Sequence, residues 1–221
     1  MTTPPMGTTQ DSELSALLER VGGKKAAAGA AAPQFVIANR FMHKRAQNRA
    51  AIRKMVKPEN ARCVREHLPA PEDRTHCVLG GNFVLGDMIQ HVMEGEHCPH
   101  MRLATLSLSV ANAVNLANLV ERGAVDRMTL IVSHYFAQVN RDAVFLDIKA
   151  KLAGLCQLVV TRSHAKIQLI PLDSGPFYVM EGSANLRSSD TLEHVVVFND
   201  RELHDWHAQW IDELAARPEH Q

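Results

Sequence analysis

Aromatic residues are scarce in this chain: Phe, Trp and Tyr make up 5% of its 221 residues. So thin a supply counts against a surface built to insert into lipid. Cysteine is rarer still. Cys63, Cys77, Cys98 and Cys156 form no CxxC pair and no dense cluster, which excludes a disulfide framework. No apolar run approaches the ~20 residues that a spanning helix needs. The first residues, MTTPPMGTTQDSELS, lack the basic stretch and apolar core of a secretory signal. These absences predict a soluble, cytoplasmic chain. Hydrophobic residues at 46% and charged residues at 22% place it in the globular class.

Net charge is formally zero, yet the charge is unevenly spread. Residues 1–70 hold 12 Lys and Arg against 5 Asp and Glu, whereas residues 71–221 hold 12 against 19. A basic front on an acidic body suits either contact with a polyanion or attraction between the two parts.

Three stretches follow along the chain. Residues 1–34, rich in Pro, Gly, Thr and Ser and containing KKAAAGAAAP, read as a flexible tail. Residues 35–70 read as a basic helical segment. Within it Arg45, Arg49, Arg53 and Lys57 recur every fourth residue, which predicts a cationic ridge along one helical face up to Pro58. Such a ridge suits a phosphate backbone, or else forms a solvated face. From 71 to 221 short apolar strands alternate with amphipathic helices, predicting an α/β domain: one mixed sheet flanked by helices, antiparallel where connections shorten after residue 160. Arg102–Val110 alternates like a strand, Asn112–Arg122 reads as a helix closed by Gly123, and a terminal helix runs from Asp200 to about Ala215. On that helix Trp206 and Trp210 are expected to pack inward, and His204 and His207 to face solvent.

The chemistry is concentrated between residues 163 and 193. In a strand, residues two apart share a face, so His164 and Lys166 point together, away from Ala165, Ile167 and Leu169. An imidazole beside an ammonium suits attack on a phosphodiester: the ring supplies the nucleophile and the Lys neutralises charge on the non-bridging oxygens. Lys166 would be costly to bury unpaired, which favours a pocket. Gly182-Ser183-Ala184-Asn185 follows the next strand as a turn whose hydroxyl, amide and backbone N–H groups can donate to those oxygens. Glu193 is placed to orient the His through its second ring nitrogen. His91, His97, Cys98 and His100 invite a zinc reading, but structural zinc needs four ligands in separated pairs and no second pair exists. A surface loop is expected there, with no metal or other cofactor.

His-x-Lys, a short gap, a strand, Gly-Ser-x-Asn and a downstream Glu together resemble the phospholipase D superfamily, over roughly residues 75–215. That superfamily includes phosphatidyl transferases, phosphodiesterases and nucleases. The resemblance implies His164 as nucleophile or general acid and Lys166 as phosphate clamp. It further implies Gly182, Ser183 and Asn185 in the phosphate pocket, with Glu193 as partner of the His. One position departs from the pattern: the family's Asp, five residues after the Lys, is here Pro171, with Asp173 two residues later as its possible replacement through a shifted turn. The family's sites are built from two facing His-x-Lys motifs, and this chain carries one. The resemblance therefore implies either a homodimer in which two copies each supply a motif, or an incomplete site.

The functional expectation is a metal-independent phosphodiesterase acting on nucleic acid through a phosphohistidine intermediate. The alternatives are a phosphodiesterase or transferase acting on anionic phospholipid, and a non-catalytic nucleic-acid-binding module.

Overall fold

A run of buried β-branched and leucine residues between residues 128 and 161 dictates the centre of the molecule. In a computed structural model, Met128–Ser133 is a strand with all six residues buried. The model describes residues 53–56, 65–80, 85–139, 144–187 and 192–220. Eight strands form one mixed sheet: β1 (Arg53–Val56), β2 (Arg74–Gly80), β3 (Met101–Thr105), β4 (Met128–Ser133), β5 (Gln157–Thr161), β6 (Ile167–Pro171), β7 (Phe177–Gly182) and β8 (Leu192–Asn199). Their order is β1-β2-β8-β7-β6-β3-β4-β5. The strands β3, β4 and β5 run parallel, while β6, β7 and β8 are antiparallel to their neighbours.

Helices α1 (Leu85–Val92), α2 (Val110–Glu121), α3 (His134–Val139) and α4 (Leu146–Leu152) contribute to the larger core, and α5 (Arg201–Ala215) to a second one. The larger core joins Leu103, Leu130, Val132 and Met180 of the sheet to Leu85, Met88, Ile89, Leu116, Leu119 and Ile148 of the helices. The second joins Ala104, Ile131, Val159, Leu169 and Val179 to Ile211 and Leu214 of α5. Neighbours in a strand point to opposite faces, so Leu130 serves the first core and Ile131 the second. Each such side chain contributes about 1.5–3 kcal/mol on burial. Local chemistry sets the helix ends. Ser109 caps α2 by accepting from Asn112 N–H at 3.2 Å, and Asp200 caps α5 by accepting from Leu203 N–H at 3.0 Å.

Three expectations change. The alternation Leu106–Val110 is not strand: β3 stops at Thr105, whose hydroxyl donates to Ser107 O at 2.8 Å and turns the chain toward the Ser109 cap. The helical reading of the basic segment fails at Arg53–Val56, which pairs in parallel with Thr75–Val78 of β2. Its four residues are too few to display a helical period over a strand's. Arg53 therefore stands on a strand, while Arg45, Arg49 and Lys57, with the tail 1–34, lie outside the described residues. His204 and His207 do not face solvent: both are 5% exposed. Among the described residues no helix is long and apolar enough to cross a membrane.

Candidate active site

The parallel strands β3, β4 and β5 end together at Thr105, Ser133 and Thr161. Residues 162–166 then lead from Thr161 to β6, which lies on the far side of β3. This link, carrying His164 and Lys166, must cross the carboxyl ends of β4 and β3. At the same end of the sheet β7 finishes, with Gly182 opposite Val195, and β8 begins. The sheet thus brings His164, Lys166, Gly182, Ser183, Asn185 and Glu193 to one end, with His164 and Lys166 on the link before β6 and not on a strand face as their spacing predicts.

The His–Lys pair is in direct contact. Lys166 Nζ lies 3.0 Å from His164 Nδ1 and 3.0 Å from the His164 carbonyl oxygen. The imidazole is exposed and the Lys half-buried. Burial holds the Lys166 ammonium below its ordinary pKa, an effect opposed by the negative charge of Glu193.

The turn after β7 is held by its own polar groups. Ser183 N–H donates to His194 O at 2.9 Å, and His194 N–H donates to Ser183 Oγ at 3.0 Å. The Ser183 hydroxyl donates to Glu193 Oε2 in a short hydrogen bond. Ser183 therefore spends its backbone and hydroxyl protons within the protein, and its part is to set Glu193 and the turn. Asn185 differs. Its Oδ1 accepts from Leu106 N–H at 3.2 Å and faces Thr105 Oγ1 at 3.4 Å, which leaves the NH₂ end as the donor. Gly182 has no alternative at its position: a Cβ would sit 2.0 Å from the His194 carbonyl oxygen, inside the β7–β8 pairing.

Thr105 organises this corner and was not singled out by the motif. Besides Ser107 O, its Oγ1 accepts from Leu186 N–H at 3.2 Å, so one buried hydroxyl ties the end of β3 to the turn 183–187. Its only sequence signal is a polar residue closing an apolar strand. A second missed group lies beside β7. His207 Nδ1 accepts from Trp210 Nε1–H at 3.0 Å, which puts the ring proton on Nε2, donated to Glu181 at 2.6 Å. Glu181 directly precedes Gly182, so α5 anchors the strand that delivers the turn. A third, His76 and His194 on β2 and β8, stacks with ring centroids 5.6 Å apart.

Pro171 and Asp173 both lie away from the His–Lys pair. Pro171 closes β6, a five-residue strand of roughly 16 Å, at the end remote from Lys166. There Asp173 Oδ2 meets His97 Nδ1 at 2.7 Å, and Asp126 Oδ1 meets His97 Nε2 at 3.0 Å. His97 is thereby committed to two carboxylates, while Cys98 is fully buried. Among the described residues no group of three or more His, Cys, Asp or Glu is arranged to hold a metal ion.

No family model and no curated protein matches the chain. Solved structures do show likeness. A phospholipase D family member, Nuc from Salmonella typhimurium, is similar with a TM-score of 0.47 and 16% identity, over 64% of this chain and 94% of that one. NucT from Helicobacter pylori gives 0.44 and 14%, over 64% and 96%. Phosphatidylserine synthase from Haemophilus influenzae Rd KW20 gives 0.44 and 12%, over 68% and 40%. A phospholipase D family member is thus among the structures that this chain is similar to. At these levels each is a likeness of chain course and nothing more.

Proposed function

We propose that this chain is a metal-independent phosphodiesterase of nucleic acid whose working site takes one His–Lys pair from each of two copies. The observation that carries the reading is the contact of His164 with Lys166 at the sheet end shared with the Asn185 amide and Glu193. In the proposed reaction the Nε2 of one His164 attacks phosphorus, a P–N bond forms, and the P–O bond to the leaving nucleoside oxygen breaks. The same imidazole of the second copy gives that oxygen its proton. It then takes one from water, which attacks phosphorus, breaks the P–N bond and returns the first ring to its starting state. Lys166 and the Asn185 NH₂ group hold the non-bridging oxygens as negative charge builds. Glu193, fixed by Ser183, keeps a negative charge near Lys166 and so favours its ammonium form. Nucleic acid is the substrate favoured by the run Arg40–Lys57, which holds basic residues and no Asp or Glu.

Purified protein with labelled DNA or RNA in excess chelator tests this. Cleavage by the wild-type chain that disappears in His164→Ala supports the reading. Absence of cleavage, or cleavage that persists in His164→Ala, overturns it. Salt-sensitive binding without any turnover would instead mark a non-catalytic nucleic-acid module.

A further inference from the structure

Tyr135 is 66% exposed, one residue beyond the start of α3, the helix that leaves β4 at the sheet end where His164 and Lys166 lie. Its placement follows from the topology. Ser133, the last residue of β4, pairs with Thr161, the last residue of β5, and the two chains leave the sheet there side by side. One becomes α3 and the other becomes the link 162–166 that carries His164 across the end of β4. Neighbouring strands are about 4.8 Å apart, so Tyr135 and the link are near neighbours.

The ring is held outward on a fixed base. Ser133 Oγ accepts the Tyr135 N–H at 3.3 Å, which anchors the first turn of α3. The next residue, Phe136, is buried and packs edge-on against Phe145 at 6.0 Å, with the planes at 89°. Ala137 is buried as well. With those two residues in the core, α3 cannot roll to bring Tyr135 inward. Among the described residues its ring packs against no other aromatic ring, and its hydroxyl has no hydrogen bond. Arg162, exposed on the neighbouring link, likewise forms no ion pair with any described residue. An exposed aromatic residue and an exposed guanidinium with no ion pair among the described residues, on two segments that leave the sheet side by side at the end holding His164 and Lys166, are the combination that receives an unpaired nucleobase and the phosphate attached to it. A duplex keeps its bases stacked inside and offers that ring nothing.

We propose that Tyr135 is a base-stacking platform that makes this site select single-stranded nucleic acid, with Arg162 on a flanking phosphate. The inference rests on the phosphodiesterase reading for its substrate and goes beyond it in naming the strand form and the selecting residue.

The test uses the full-length chain with four probes of one sequence: single-stranded DNA, single-stranded RNA, duplex DNA, and a DNA strand with abasic sites in place of its bases. Binding is followed by fluorescence anisotropy and cleavage by gel. The wild type is expected to prefer both single strands to the duplex. Tyr135→Ala is expected to weaken single-strand binding by about 5- to 150-fold, the range that one base–aromatic stack supports. Tyr135→Trp is expected to restore it, and the loss is expected to shrink on the abasic strand. Unchanged single-strand affinity in Tyr135→Ala, or an equal loss on the abasic strand, overturns the inference, as does equal wild-type affinity for duplex and single strand. Binding is read independently of turnover, so a chain that cleaves nothing rejects the phosphodiesterase reading while the anisotropy data still decide the role of Tyr135.

Discussion

The Lys166 ammonium approaches His164 on its Nδ1 side, at 3.0 Å. An ammonium can only donate, so that contact places the neutral ring's own proton on Nε2. Giving up that proton would leave an imidazolate, so the acid of the pair is the doubly protonated ring, which Lys166 must leave free at Nδ1. Nucleophilic attack needs the opposite arrangement, an Nε2 lone pair, and is reached once an incoming phosphate draws the ammonium away from Nδ1. Both roles therefore begin when Lys166 turns from the ring to the phosphate. Lys166→Met is accordingly expected to lower kcat by about 10²–10³-fold, the usual scale for removing one charge-stabilising donor. Steady-state cleavage of a labelled oligonucleotide checks this, with circular dichroism to confirm that the fold persists.

Asn185 offers a separation of folding from function. Its Oδ1 is held by Leu106 N–H, and its NH₂ end is the donor. Asn185→Asp keeps the acceptor but turns the donor end into a second negative oxygen facing the phosphate. The expected outcome is a melting temperature near that of the wild type with kcat reduced by about 10²-fold or more.

The β7–β8 junction leaves no space at Gly182, where an added Cβ meets a carbonyl oxygen rather than a flexible side chain. Gly182→Ala must displace β8, at a cost of about 1–3 kcal/mol or more. Urea denaturation should show that loss, together with lower activity, because Glu193 and His194 shift with the strand.

Remote from the site, His97 is bridged by Asp173 and Asp126, whose hydrogen bonds raise its pKa above the ordinary 6.5. A group with a raised folded-state pKa stabilises fully below its unfolded value and loses that contribution as pH climbs through the folded value. The melting temperature should therefore fall as pH rises from below 6.5 through the raised value. His97→Gln should flatten that part of the curve, as a differential scanning fluorimetry series can show.

Much of this architecture is legible in the sequence. Met128–Ser133 reads as a strand because it is mostly apolar and β-branched, and it is one. The terminal helix begins after Asp200 because that carboxylate caps it, and Gly123 follows α2 in a left-handed conformation at φ 69°. The order of strands and turns that carries Gly182 and Glu193 is legible, but His164 and Lys166 read as sharing a strand face, whereas they stand on the link before β6 and meet through that crossing. What escaped is what spacing cannot encode. Helix α3 has six residues joined to β4 without a loop, too few to show a period, and Tyr135 stands on it. Thr105 matters through hydrogen bonds to residues some eighty positions away. The place of His207 is not legible because the sequence of α5 does not reveal its partner Glu181 on β7. The alternation from Leu106 to Val110 mimics a strand where a serine cap and a threonine turn prevail.

The central claim is that catalysis needs the His164 ring of both copies at once. Mixtures of wild type and His164→Ala, denatured and refolded together so that subunits redistribute, test it most directly. If both rings are required, the mixed pairs are dead, and activity falls with the square of the wild-type fraction, a quarter remaining at equal amounts. Activity that falls in simple proportion, with half remaining, would mean that each chain works alone and would contradict the account.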